Sequence, residues 1–100
     1  MKDLEFKTAV DGYNVKSGIF KKGTNLLTGI GRKEGKISGH LWEGLWLDDQ
    51  LNGFGRQVWS AGYYIGLWKN GKKHGKGCLF NANGKVQDGI WEDDEFKSAE

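Results

Sequence analysis

Residues 64–77 read "YIGLWKNGKKHGKG", too aromatic for a linker and too rich in glycine for a helix. A helix would carry glycine at 66, 71, 75 and 77, each costing about 1 kcal/mol against alanine. A strand reading fits better. Tyr64, Gly66 and Trp68 alternate with Ile65, Leu67 and Lys69, the period of two that separates the faces of a strand. Asn70-Gly71 is the dipeptide of a tight hairpin turn, and "KGCLF" supplies a further short run ahead of a second such dipeptide, Asn83-Gly84.

The same pattern occurs upstream. Gly44, Trp46, Gly53, Gly55 and Gly62 recur 22 residues later as Gly66, Trp68, Gly75, Gly77 and Gly84, and Gly66 and Trp68 recur again as Gly89 and Trp91. Toward the N-terminus, Gly18, Phe20, Gly29, Gly31 and Gly39 form a looser copy. Asp11-Gly12 repeats the turn signal after "FKTAV", so residues 6–10 read as the second strand of a copy lacking its first. The chain is expected to hold one array: a half copy at 4–12, copies near 16–38, 42–62 and 64–86, and a half copy at 87–97. Turns are expected at Asp11-Gly12, Asp48-Asp49, Asn70-Gly71 and Asn83-Gly84, and no helix within residues 14–92.

Seventeen glycines, no proline and thirteen aromatic residues (five Trp, five Phe, three Tyr) in 100 residues fit this reading. Collagen-like or disordered chains that exceed the usual ~7% glycine do so with proline or low complexity. Here the glycines lie among packing residues. A bare strand glycine is stabilised when an aromatic ring on a neighbouring strand covers it, so the glycines read as seats for the rings. Phe20, Trp46, Trp68 and Trp91 are expected in one aromatic row and Trp42 and Tyr64 in a second.

These residues resemble the MORN repeat (membrane occupation and recognition nexus). Tyr64, Gly66, Trp68, Asn70, Gly71, Lys72, His74, Gly75, Gly77, Asn83 and Gly84 fall on its pattern, and Trp42, Gly44, Trp46, Asn52, Gly53, Gly55 and Gly62 keep much of it, with Asp48-Asp49 in place of Asn-Gly. The resemblance implies an all-β, single-layer twisted antiparallel sheet of stacked hairpins. It also implies a non-enzymatic scaffold that docks other protein chains in cytoskeletal, ciliary or membrane-junction assemblies. Two alternatives stay open: a phosphoinositide or membrane-surface module, and a regulatory segment of a larger enzyme such as a lipid kinase or a SET-type methyltransferase.

The residues exclude several chemistries. Fifteen basic against thirteen acidic side chains leave little net field, which argues against nucleic acid as a partner. Gly71 precedes Gly75-Lys76-Gly77 one residue too closely for a phosphate-binding P-loop and without its hydroxyl, and "GIGRKEG" at 29–35 misses the dinucleotide spacing. His74 and Cys78 lie four apart, but with only His40 besides they make no four-ligand metal site. His74 is expected to bond loop backbone. No catalytic set assembles, so no catalytic, metal or cofactor residue is expected. Glu92, Asp93, Asp94 and Glu95 read as a solvated acidic end. Cys78, the one cysteine, and the absence of an apolar leader point to an intracellular, cytoplasmic chain, and the resemblance implies a place at the cytoskeleton, in a cilium or on the inner face of a membrane. Lys21, Lys22, Arg32, Lys33, Lys69, Lys72, Lys73 and Lys76 are expected along the rims of the sheet, where they would meet anionic phospholipid in the membrane reading.

Between each copy's glycine and its aromatic stands an aliphatic residue: Ile19, Leu45, Leu67 and Ile90. Parity sends all four away from the rings. With Leu47 and Ile65 beside them they are expected to form an apolar stripe that contacts another protein chain. The competing expectations are that the stripe closes on the chain's own Leu4 and Phe6, or that aliphatics stand there for strand propensity alone.

Overall fold

The computed structural model describes residues 3–99. The chain forms nine strands: β1 (Leu4–Val10), β2 (Asn14–Lys21), β3 (Leu27–Gly35), β4 (Leu41–Leu47), β5 (Gln50–Trp59), β6 (Gly62–Lys69), β7 (Lys72–Asn81), β8 (Val86–Glu92) and β9 (Glu95–Ala99). They pair antiparallel in strictly sequential order in one open sheet, and the described residues contain no helix. The molecule is 42 × 27 × 15 Å, a single layer.

The turns follow from residues that tolerate a left-handed backbone. Asp48 and Asp49 have φ of 45° and 71°, and Asn70 and Gly71 have 50° and 80°, the double positive φ of the tightest hairpins. Asp11 closes the β1–β2 turn by accepting the Tyr13 and Asn14 N–H groups, both at 2.7 Å. Asn83 accepts the Lys85 N–H at 3.1 Å before β8. A further turn of the first kind stands at Asp93 and Asp94, with φ of 48° and 69°. The acidic run is thus the β8–β9 hairpin, where charge had suggested only a solvated end.

From β2 to β8 every strand places a glycine at one level: Gly18, Gly31, Gly44, Gly55, Gly66, Gly77 and Gly89, each opposite the next. Backbones close up along this ladder. A Cβ on Gly44 would stand 2.5 Å from the Gly55 Cα, nearer than atoms can pack. Beside the ladder the register slips between Gly18 and Phe20, Gly44 and Trp46, and Gly66 and Trp68, the bulges that bend a strand.

The rings fold onto the ladder. Trp46 lies over Gly31, with its Cδ1 3.1 Å from where a Cβ would be, and Trp68 lies the same way over Gly55 at 3.0 Å. Trp46 Nε1 donates to the Gly31 carbonyl (2.8 Å) and Trp91 Nε1 to that of Gly77 (3.1 Å). Each tryptophan therefore reaches back to the preceding copy. Tyr64 covers Gly77 of its own copy and makes edge-to-face contacts with Trp68 and Trp91 at 5.2 and 5.3 Å. Phe20, Leu27, Trp46, Leu51, Tyr64, Trp68 and Trp91 form the buried core on this one face. Lysines roof it: Lys33 stands over Trp42 and Trp46, Lys73 over Tyr64 and Trp68, and Lys7 over Phe20. Trp42 is half-buried against His40 and Lys33. Neither it nor Phe20 supplies an atom nearest to any glycine.

Successive copies are stitched at their turns. Asp49, Gly71 and Asp94 donate their N–H groups to the carbonyls of Leu27, Leu51 and Lys73 at 2.8, 2.9 and 3.0 Å. Return bonds run from Leu27 N–H to Asp49 Oδ1 and from Lys73 N–H to Asp94 Oδ1. Lys16 adds an ion pair to Asp49 at 2.8 Å.

Candidate docking groove

The second face of the sheet is apolar and open. Of the thirteen large apolar side chains exposed among the described residues, eleven point to this face, and the other two, Tyr13 and Ile37, lie in loops. One level across the strands runs Phe6, Ile19, Ile30, Leu45, Phe54, Leu67, Lys76 and Ile90. Another runs Val10, Val15, Glu34, Leu41, Val58, Tyr63, Phe80 and Val86. Between them lies a polar seam of Thr8, Ser17, Arg32, Glu43, Arg56, Ile65, Cys78 and Asp88.

Along the glycine ladder, where side chains are missing between the flanking levels, this face is lowered into a shallow, open groove. Its first part, about 620 Å³, has Gly18, Gly31 and Gly44 in its floor, Phe6, Ile30 and Phe54 on one wall, and Arg32, Glu43, Arg56 and Ile65 on the other. A second part of about 420 Å³ continues over Gly66 and Gly77 between Leu67 and Lys76 on one side and Ile65, Cys78 and Asp88 on the other. The seam arginines are paired within the chain: Arg56 meets Glu43 at 2.6 Å, and Arg32 meets Glu34 of the neighbouring level at 3.6 Å. Burial, with help from Asp88, raises the Cys78 thiol above its usual range, so the thiol is neutral at ordinary pH.

Leu45, Leu67, Ile90 and Ile65 are exposed on this face, Ile19 is half-buried, and Leu47 stands at its margin opposite Gln50. Three of the stripe residues also have a packing duty. Ile19, Leu45 and Leu67 lie 3.4, 3.3 and 3.2 Å from where a Cβ would sit on Gly29, Gly53 and Gly75. These glycines hold the bulges with φ of 114°, 111° and 101°. The aliphatics thus seat the bulge on one side as the tryptophans seat the ladder on the other. Ile30 (68% exposed) and Phe54 (54%) stand freer than any of the stripe residues, each the middle residue of a Gly-x-Gly. Counting the alternation along second strands as well as first ones would have found them.

Three expectations are corrected. The N-terminal residues do not close over the stripe, because β1 pairs edge-on with β2, with Phe6 opposite Ile19 and itself exposed. The basic residues are not all at rims: Arg32 stands in the seam, and Lys33 and Lys73 lie on the rings, where strand register carries them inward. His74 Nδ1 is enclosed without a hydrogen-bond partner, 3.9 Å from the Asp93 carboxylate. Among the described residues no group of three or more His, Cys, Asp or Glu side chains could hold a metal ion.

The family model of the MORN repeat matches residues 42–62 and 64–86, the two copies whose tryptophans lie on the ladder. Among curated proteins, none matches the chain.

Proposed function

Since this chain carries MORN repeats, which are protein- and membrane-interaction modules rather than catalytic ones, we propose that it is a docking subunit. Its groove holds a segment of another protein chain within an intracellular assembly. The observation that carries this reading is the concentration of exposed apolar side chains on one shallowly grooved face. A solvent-facing sheet surface ordinarily alternates to polar residues, and a contiguous apolar patch of this kind marks an interface. The partner class follows from the seam. Its two arginines are already engaged by Glu43 and Glu34, so the groove favours an apolar segment over a phosphate headgroup.

Ile30→Thr with Phe54→Thr tests the reading, since these side chains support no glycine and threonine keeps strand propensity. The intact chain and the variant are used as paired baits in native extract, and proteins captured by one alone are retested by calorimetry as pure components. Selective loss of a directly binding protein, with the circular dichroism unchanged, is expected. Equal capture by both baits, or variant-sensitive binding to anionic vesicles alone, overturns it.

A further inference from the structure

The two ends of the sheet are unlike. β9 has five residues, contains Glu95 and Lys97, follows an acidic turn, and pairs with β8 through a register shift. Shortness, charge and a bulge are the devices that blunt an edge. β1 has seven residues and pairs with β2 through seven consecutive positions without a shift. No strand among the described residues covers its outer side.

Which backbone groups face outward follows from the ladder. Lys22 N–H donates to the Asp3 carbonyl and Asp11 N–H to that of Asn14, so odd-numbered residues of β1 turn their N–H and C=O groups toward β2. Leu4, Phe6, Thr8 and Val10 turn theirs away. On this edge stands Phe6, 75% exposed, at the end of the apolar level that crosses the molecule.

The geometry points to a second copy of this chain as the occupant of that edge, in an antiparallel two-fold pairing centred on Phe6. In this register Phe6 exchanges backbone hydrogen bonds with its two-fold mate and Leu4 faces Thr8 of the other copy, which matches the outward groups. Glu5 and Lys7, which pair within each chain at 3.3 Å, then stand opposite Lys7 and Glu5 of the other copy, in the non-hydrogen-bonded positions where cross-strand side chains come closest, so that the two intrachain pairs join into one cluster of alternating charge. The register one step along would centre on Lys7 and oppose two ammonium groups. The two-fold axis is normal to the sheet, so both apolar faces lie on the same side, and the two Phe6 rings join the grooves end to end. This pairing is independent of what occupies the groove.

Sedimentation equilibrium on the intact chain tests it, with a dimer expected at about 10–100 µM, the range of an interface below standard size. Thr8→Pro removes an outward N–H, at a position where an edge strand tolerates proline, and within the chain costs only the exposed hydroxyl contact to Ser17. It should weaken the dimer about 30-fold or more with the circular dichroism unchanged. Lys7→Glu should also dissociate it by opposing Glu5 with a carboxylate, and Glu5→Lys with Lys7→Glu should restore it. The charge exchange decides the matter if Thr8→Pro does not fold. A chain that stays monomeric to millimolar concentration, a dimer indifferent to both changes, or a dimer lost in Ile30→Thr with Phe54→Thr but kept in Thr8→Pro overturns the proposal.

Discussion

At Gly44 the φ of 146° and the Gly55 backbone lying 2.5 Å from the missing Cβ both exclude a side chain. Gly44→Ala is expected to cost about 3 kcal/mol, combining backbone strain with overpacking, read as a lowered urea midpoint. Gly12→Ala, where a Cβ meets nothing within 4 Å, should stay within about 0.5 kcal/mol. The rings on this ladder carry a matching cost: Trp68→Ala should lose about 3–5 kcal/mol. Tyr64 makes residue-scale packing visible to pH. Its burial, followed by the Asp94 charge, pushes the phenol up to about 12, and its O–H donates to the Leu67 carbonyl at 3.0 Å. The unfolded chain releases this proton near the ordinary value of 10, so the stabilisation is complete below pH 10 and is lost as pH rises toward 12. Thermal melts of the native chain should fall steeply across that window. Tyr64→Phe should start about 1 kcal/mol less stable, for want of the hydrogen bond, and fall less steeply.

At the scale of the hairpin, one residue of each turn ties a copy to the one before it. Asp49 accepts from Leu27 N–H and pairs with Lys16, whose side chain is largely buried. Asp49→Asn keeps an acceptor and a residue that tolerates φ of 71°, and should cost about 1 kcal/mol or less. Asp49→Ala loses bond, charge and turn preference together and should cost about 2 kcal/mol, measured by thermal unfolding. The hairpins were legible because their turns are written in Asn-Gly, Asp-Gly and Asp-Asp, where the demand for positive φ limits the choice of residue. Asp93-Asp94 is the same dipeptide as the turn at 48–49, but its acidic neighbours Glu92 and Glu95 give it a second account as a solvated charged run, so the turn is not legible there from sequence alone. Parity likewise assigned Ile19, Leu45, Leu67 and Ile90 to one face. It could not tell that three of them also hold down bulge glycines, since a bulge shifts pairing without changing the spacing along the chain. Nor is the groove visible in any one strand: it arises when seven strands place glycine at one level.

For the molecule as a whole, the sequential strand order means that each strand hydrogen-bonds only its chain neighbours, side chains such as Tyr64 and Trp91 reach just one strand further, and no second layer joins distant copies. Stability in such an array is close to a sum of unit and nearest-neighbour terms. These terms are unequal here. The buried rings Trp46, Tyr64 and Trp68 and the residues Leu51 and Gly55 place the densest packing on β4 to β6. At the ends, β1 offers Lys7 where inner strands offer a ladder glycine, and β9 offers Ala99. Native-state hydrogen exchange should therefore show graded protection, greatest for the amides of β4 to β6 and declining outward on both sides, with β9 opening first because its pairing is shortest. Trp91→Ala should lower protection in β7 to β9 strongly and leave β2 to β4 nearly unchanged, since its contacts are with Tyr64, Phe96 and the Gly77 carbonyl. Uniform protection from β1 to β9, falling equally everywhere in Trp91→Ala, would mean that the sheet unfolds as one unit and that nearest-neighbour coupling along the glycine ladder exceeds the differences between copies.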